Sequence, residues 1–188
     1  MLLHFSYLGE ESDTRVHPYW NGEKMSTISK DKVGIFHYTL TTADGELIDS
    51  SEGRDPLPYL HGSGNIVPGL EREMEGKSVG DSFNAVVAPE EAYGLLDESE
   101  DAYMKVEEER LPEGMEFQKG FPIHAELEDG MVVTFYMHDY ADGVFTLTQN
   151  HPLAGVTLVF AIEIVDVRDA NSAEIEDGQP HGLDGTER

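Results

Sequence analysis

The 188-residue chain has no cysteine and only 12 lysines and arginines against 38 aspartates and glutamates. Without cysteine there are no disulfides, no cysteine-ligated zinc and no thiol catalysis. The formal net charge of −26, with histidine neutral, repels phosphate and anionic lipid, which are bound by clustered cations. Nucleic acid and membrane surfaces are therefore not expected partners. Long apolar runs are also missing, because charges interrupt every stretch well short of the roughly 20 residues of a membrane span. The opening Met1-Leu2-Leu3-His4-Phe5 has no basic flank and meets Glu10-Glu11 before a secretory core is complete, so a cytoplasmic location is expected. What the chain does have is 39% hydrophobic residues, enough to build a core. Its length suggests one domain, or one with a small companion.

Residues 9–29 are polar, carry Pro18, Asn21 and Gly22, and hold no sustained period, so a flexible arm over 1–29 is expected. Met25 offers a second start, which would make residues 1–24 an upstream extension; a terminal strand through Phe5 and Tyr7 is the alternative. From Val33 to Leu40 the pattern alternates with period two, and Ala43-Asp44-Gly45 reads as a hairpin turn into a strand over 46–50. Pro56 and Pro58 argue for a bulge or a loop over 53–58 rather than a central strand. In Pro68-Gly69-Leu70-Glu71-Arg72-Glu73-Met74-Glu75-Gly76, proline suits a first helical position. Leu70 and Met74 share a face, and Gly76 suits the end, so one short helix is predicted. Strands are predicted over 81–88 and 157–167, the latter with Leu158, Phe160, Ile162 and Ile164 on one face.

Residues 97–149 read as a separate β unit, with hairpin signals at Glu128-Asp129-Gly130 and Ala141-Asp142-Gly143. The Gly-rich acidic segment 169–188 is expected to be disordered. Gly62-Ser63-Gly64 with Gly69 misses the dinucleotide fingerprint, and Gly-x-Ser-x-Gly is absent. His124, His138 and His151 fall in or beside the 97–149 unit, but no metal-ligand spacing is present, so neither a metal nor a cofactor is expected. Aromatic and aliphatic residues with one carboxylate remain: Tyr38, Ile48-Asp49, Ile66-Val67, Tyr93 and Phe160. Periodicity alone would assign most of these to an ordinary core.

The ordered set His37-Tyr38-Thr39-Leu40, Asp44 to Ser51, Tyr59-Leu60-His61-Gly62, Ile66-Val67-Pro68-Gly69-Leu70-Glu71, Glu91-Ala92-Tyr93-Gly94, Asn150 to Gly155 and Thr157-Leu158-Val159-Phe160 resembles the FKBP-type peptidyl-prolyl cis-trans isomerases. Within them it resembles the SlyD-like group, which carries an insert in the flap. The resemblance runs from about Lys30 to Arg168. It implies an α+β, mostly β fold: an antiparallel sheet wrapped on a short helix, formed by residues 30–96 and 150–168, with 97–149 as an inserted flap domain. It also implies that Tyr38, Asp49, Val67, Tyr93 and Phe160 act in catalysis. Ile48, Ile66, Leu70, Ala92 and Leu153 would contact substrate, with Leu70 at a floor position that is Trp in many relatives. The nickel-binding tails of such proteins are rich in His and Cys, whereas only His181 stands in this one.

The implied reaction is rotation of X-Pro bonds in unfolded or nascent polypeptides by a monomeric protein. Met131, Val132, Val133, Phe135, Tyr136, Met137, Val144, Phe145 and Leu147 give the insert more apolar surface than a small unit buries on one side. A chaperone surface is one use of it, and the insert's own core is the other. Two alternatives to the isomerase are a non-catalytic module that binds proline-containing segments and a nickel carrier.

Overall fold

The computed structural model describes residues 19–20, 23–24, 26–111, 114–126 and 131–186. In chain order the strands are β1 (Tyr19–Trp20), β2 (Glu23–Lys24), β3 (Lys32–Thr42), β4 (Leu47–Ser50), β5 (Leu57–Leu60), β6 (Ser82–Val87), β7 (Tyr103–Glu107), β8 (Pro122–Glu126), β9 (Val132–Ala141), β10 (Val144–Thr148) and β11 (Leu158–Asp169). The helices are α1 (Pro68–Met74) and α2 (Ser172–Asp177). The larger sheet runs β4-β3-β11-β6, with β5 also paired to β3. All its pairings are antiparallel.

Alternation drives this sheet. Phe36 and Leu40 from β3, Ala85 and Val87 from β6, and Leu158, Phe160, Ile162 and Ile164 from β11 turn to one face and bury there. Leu70 and Met74, four apart on α1, close the core from above. The pairing of β11 with β3 shifts register between Ile164 and Asp166. The extra residue, Val165, points outward at 40% exposure, and Val167 rather than Asp166 faces the core. Gly69 sets how closely α1 lies. A Cβ there would stand 2.4 Å from Val87 Cγ1, a distance that forces the helix and strand apart. Pro68 opens the helix and Gly76, at φ 76°, follows its end.

Three expectations need correction. Pro58 lies within β5 opposite Ile35 instead of in a loop. The sheet tolerates it because β5 pairs with β3 alone, and a proline on an edge forfeits no ladder bond on its open side. The fold also begins before Lys30. Ile28 is fully buried, exchanges backbone hydrogen bonds with Gly76 and Lys77, and follows a bridge from Thr27 to Ser78. Phe5 and Tyr7 lie outside the described residues.

The third correction concerns the tail, where composition favoured disorder and the structure has α2. Asn171 accepts from the N–H groups of Ala173 and Glu174, while the Glu174 carboxylate accepts from the Asn171 N–H. This reciprocal capping box supplies partners for the first turn. At the start of the tail, Ala170 packs against Val33 and Ile35 of β3 and Leu60 of β5, which are buried on the second face of the sheet.

The insert forms a four-stranded antiparallel sheet in the order β7-β10-β9-β8. Phe135, Met137, Phe145 and Leu147 bury in its own small core. Asp142 and Gly143, both at positive φ, turn β9 into β10, as a two-residue hairpin requires. The Glu128-Asp129-Gly130 signal lies outside the described residues. Where the insert joins the rest of the chain, the Asn150 side chain accepts from the Asp97 N–H and donates to the Asp97 carbonyl. No helix among the described residues is long and apolar enough to cross a membrane.

Candidate active site

A cleft of about 200 Å³ opens between the concave face of the sheet and α1. Strand alternation brings Phe36, Tyr38 and Leu40 to it from β3 and Phe160 from β11. Leu70, 2% exposed, projects from the first turn of α1 as its floor. Ile66 and Val67, just before Pro68, form one rim, and Tyr93, following a short 3-10 turn over Pro89–Glu91, contributes another. Most of this lining is apolar and sheds water readily. The volume falls below the roughly 300–1,000 Å³ of drug-sized ligand sites and suits one small ring.

The polar wall is the Tyr38–Asp49 pair. The Tyr38 hydroxyl donates to Asp49 Oδ2 at 2.6 Å. Asp49 Oδ1 accepts from the Ser50 N–H at 2.8 Å and from Arg54 Nη2 at 2.5 Å. The Tyr38 hydrogen bond, joined by Arg54 and the Ser50 amide, holds the Asp49 carboxyl below the usual carboxylate range. The same bond to a carboxylate, with partial burial, raises the Tyr38 hydroxyl. At neutral pH the pair is thus a carboxylate and a neutral phenol.

Tyr93, 38% exposed, stacks on His151 with ring centroids 3.9 Å apart and planes 5° from parallel. His151 also meets Tyr136 of the insert edge-on, with ring centroids 5.2 Å apart. His151 Nδ1 accepts from the Leu153 N–H, and burial pushes the imidazole below its ordinary value. A pocket residue is thereby joined to the insert through one imidazole. His124 bonds Thr134, and His138 packs edge-on to Tyr103, so the three histidines do not converge. Among the described residues no three metal-ligating side chains cluster.

Of the residues singled out from sequence, Tyr38, Asp49, Ile66, Val67, Leu70, Tyr93 and Phe160 all line this one cleft. Ile48, Ala92 and Leu153 do not; they pack, partly buried, against the core behind it. Ile48 precedes Asp49 on β4, and successive strand residues point to opposite faces; the β3–β4 pairing also shifts register beside it. Phe36, Leu40, Leu57 and Asn65 also line the cleft. Phe36 and Leu40 were recoverable from the period-two spacing around Tyr38, whereas Asn65 and Leu57 carry no local signal. Arg54, four residues beyond Ser50 in a loop, was likewise invisible as the partner of Asp49.

Comparison with known proteins gives this sheet, short helix and cleft a family. The FKBP-type peptidyl-prolyl cis-trans isomerase profile matches residues 24–165. An FKBP-type isomerase named SlyD from Aeromonas hydrophila is 43% identical over 153 residues, covering 81% of this chain and 70% of that protein. Its namesake from Vibrio cholerae is 38% identical over 158 residues, with 84% and 77% covered. The solved structure of FkpA from Escherichia coli aligns over 79% of this chain and 45% of that one, with a TM-score of 0.44 and 19% identity. The chain belongs to the FKBP-type peptidyl-prolyl cis-trans isomerases, of the SlyD kind. Its activity is therefore isomerisation of the bond preceding proline, and its substrates are proline-containing polypeptides.

Proposed function

We propose that the Tyr38–Tyr93–Phe160 cleft is where the X-Pro bond rotates and that the insert delivers unfolded or nascent chains to it. The observation that carries this reading is the convergence of an apolar floor and walls with one polar wall in a space sized for a single ring. Rotation about an amide is opposed by ~18–20 kcal/mol because conjugation is lost, and for X-Pro the two planar isomers differ little in energy. A catalyst must therefore hold the twisted form more tightly than either planar one. The twisted amide has a less polar carbonyl and a more pyramidal nitrogen, so it gives up less hydration when Leu70, Ile66, Phe160 and Tyr93 enclose it.

Hydrogen bonds add selectivity for that state. In this reading the Val67 N–H donates to a substrate carbonyl and the Tyr93 hydroxyl supplies a second donor. Asp49 orients Tyr38: three donors already occupy its two oxygens, which favours a positioning duty over direct attack on the substrate. Leu70 at the floor leaves an apolar base with less aromatic surface. None of these steps needs a nucleophile or a cofactor.

The insert's share in this proposal rests on apolar side chains left open to solvent. Met131 is 57% exposed and Val132 64%, and Met104, Phe117 and Phe121 extend the exposed apolar set. Methionine adapts to varied partners. Met137, by contrast, is 1% exposed and belongs to the insert's core with Phe135, Phe145 and Leu147. The net charge of −26 keeps copies apart, consistent with a monomer that meets nascent chains in the cytoplasm. Titrating a short X-Pro peptide into labelled protein tests the site: amide shifts should concentrate at Val67, Tyr93 and Phe160. Shifts confined to the insert would reject it.

A further inference from the structure

We infer that Asn65 is a positioning residue for the isomerase cleft and that the C-terminal segment 170–186 is the strap that holds it in place. The inference rests on the cleft being the reaction site. Asn65 stands among the residues lining the cleft, two positions before Val67. Its Oδ1 accepts the Leu60 N–H at 2.9 Å, which closes the 60–65 loop, and its Nδ2 donates to the Gly178 carbonyl at 2.8 Å. Gly178 is the left-handed cap of α2, at φ 69° and ψ 23°.

A six-residue helix does not persist by itself in water; this one is fastened. Glu174 is fully buried, and its carboxylate accepts from both terminal nitrogens of Arg168, at 2.9 and 2.6 Å. It also accepts from the N–H groups of Asn171 and His181, at 2.9 and 2.7 Å. Arg168 belongs to β11 and further donates to the carbonyls of Gly182 and Leu183. A carboxylate taken out of water with this many donors tolerates little displacement. Leu60 joins the two ends of the arrangement: its side chain lies in the cluster covered by Ala170, and its N–H binds Asn65. Position therefore passes from β11 through Arg168 and Glu174 to Gly178, then to Asn65 and the Ile66-Val67 rim. The floor at Leu70 and the sheet do not depend on that route, so loosening it should weaken substrate binding more than the rotation step.

Asn65→Asp isolates the link, since it keeps an acceptor for Leu60 and removes the donor to Gly178. The experiment measures kcat and KM on an X-Pro tetrapeptide, with amide hydrogen exchange over 61–67, for the full chain, Asn65→Asp, a chain ending at Ala170, and the two combined. Glu174→Gln in the full chain replaces the truncation if the shortened chain does not fold. The expected result is a three- to tenfold rise in KM with kcat within twofold for each change alone, less than a further twofold on combining them, and exchange faster by about tenfold. Unchanged exchange in Asn65→Asp overturns the inference. So does a combined effect equal to the product of the single ones, or faster exchange with unchanged KM while Tyr93→Ala does lower kcat/KM. Tyr93→Ala with full activity rejects the cleft itself, and exchange over 61–67 still judges the strap.

Discussion

The Tyr93 ring lies face to face with His151, 3.9 Å away and 5° from parallel, and His151 in turn touches Tyr136 of the insert. The imidazole is thus a spacer between a pocket wall and the inserted domain. Removing it should let the Tyr93 ring swing and lower kcat/KM on a tetrapeptide by about three- to tenfold, a cost on the order of 1 kcal/mol as for aromatic pairs. His151→Phe should restore most of what His151→Ala loses.

The same pair should respond to acid. Burial lowers the His151 pKa from its ordinary 6.5, so the unfolded chain takes up the proton first as pH falls. The folded state then loses stability below about pH 6.5, until the folded ring also protonates. His151→Phe removes that contribution. Thermal unfolding from pH 7.5 to 5 should fall more steeply for the natural protein than for the variant.

Glu174 loses its contribution in the same direction at lower pH, with the charged form the favoured one. Arg168, with the N–H groups of Asn171 and His181, lowers its pKa from 4.5 to about 2. Its contribution is complete above the unfolded value and is lost as pH falls from about 4.5 toward 2. It amounts to a few kcal/mol, at roughly 1.4 kcal/mol per unit. Glu174→Gln should lower stability at pH 7, and the difference from the natural protein should shrink as the medium approaches pH 2. Denaturant midpoints across that range check it.

Gly69→Ala should be felt in both stability and activity. The added methyl meets Val87 Cγ1 and the Glu91 backbone, so α1 must lift and carry Leu70 with it. An overpacked core position costs typically about 1–3 kcal/mol. A lower denaturant midpoint with a several-fold drop in kcat/KM is expected, whereas Gly45→Ala, in a turn where a Cβ meets nothing within 4 Å, should show only backbone strain.

Much of this was legible in the chain because it was local. Alternation in 33–40 and 157–167 gave the two central strands, and Pro68, Leu70, Met74 and Gly76 gave the helix with its capping residues. The cleft was legible only through the ordered resemblance, since nothing in periodicity separates Tyr38 or Phe160 from a core residue. What escaped was non-local. The stack of Tyr93 on His151 and the bond from Asn65 to Gly178 join segments whose proximity the fold decides. In the tail a local signal outweighs composition: Asn171 and Glu174, three apart, are a capping-box pair. Arg168 completes the anchor from the preceding strand.

Separating the insert from the cleft gives a further test. Replacing residues 98–149 with a short turn that joins Asp97 to Asn150, whose side chain binds the Asp97 backbone, should leave tetrapeptide turnover within about tenfold. Catalysis of a proline-limited refolding reaction should fall far more. Equal losses on both substrates would remove the insert's role in binding unfolded chains.

The most direct measurement is kcat/KM on an X-Pro tetrapeptide for Tyr93→Ala and Asp49→Ala, beside circular dichroism spectra of each. Folded variants should lose about ten- to a hundredfold, or roughly 1.4–2.7 kcal/mol of transition-state stabilisation. Natural rates in both folded variants would contradict a mechanism in which this cleft grips the twisted amide.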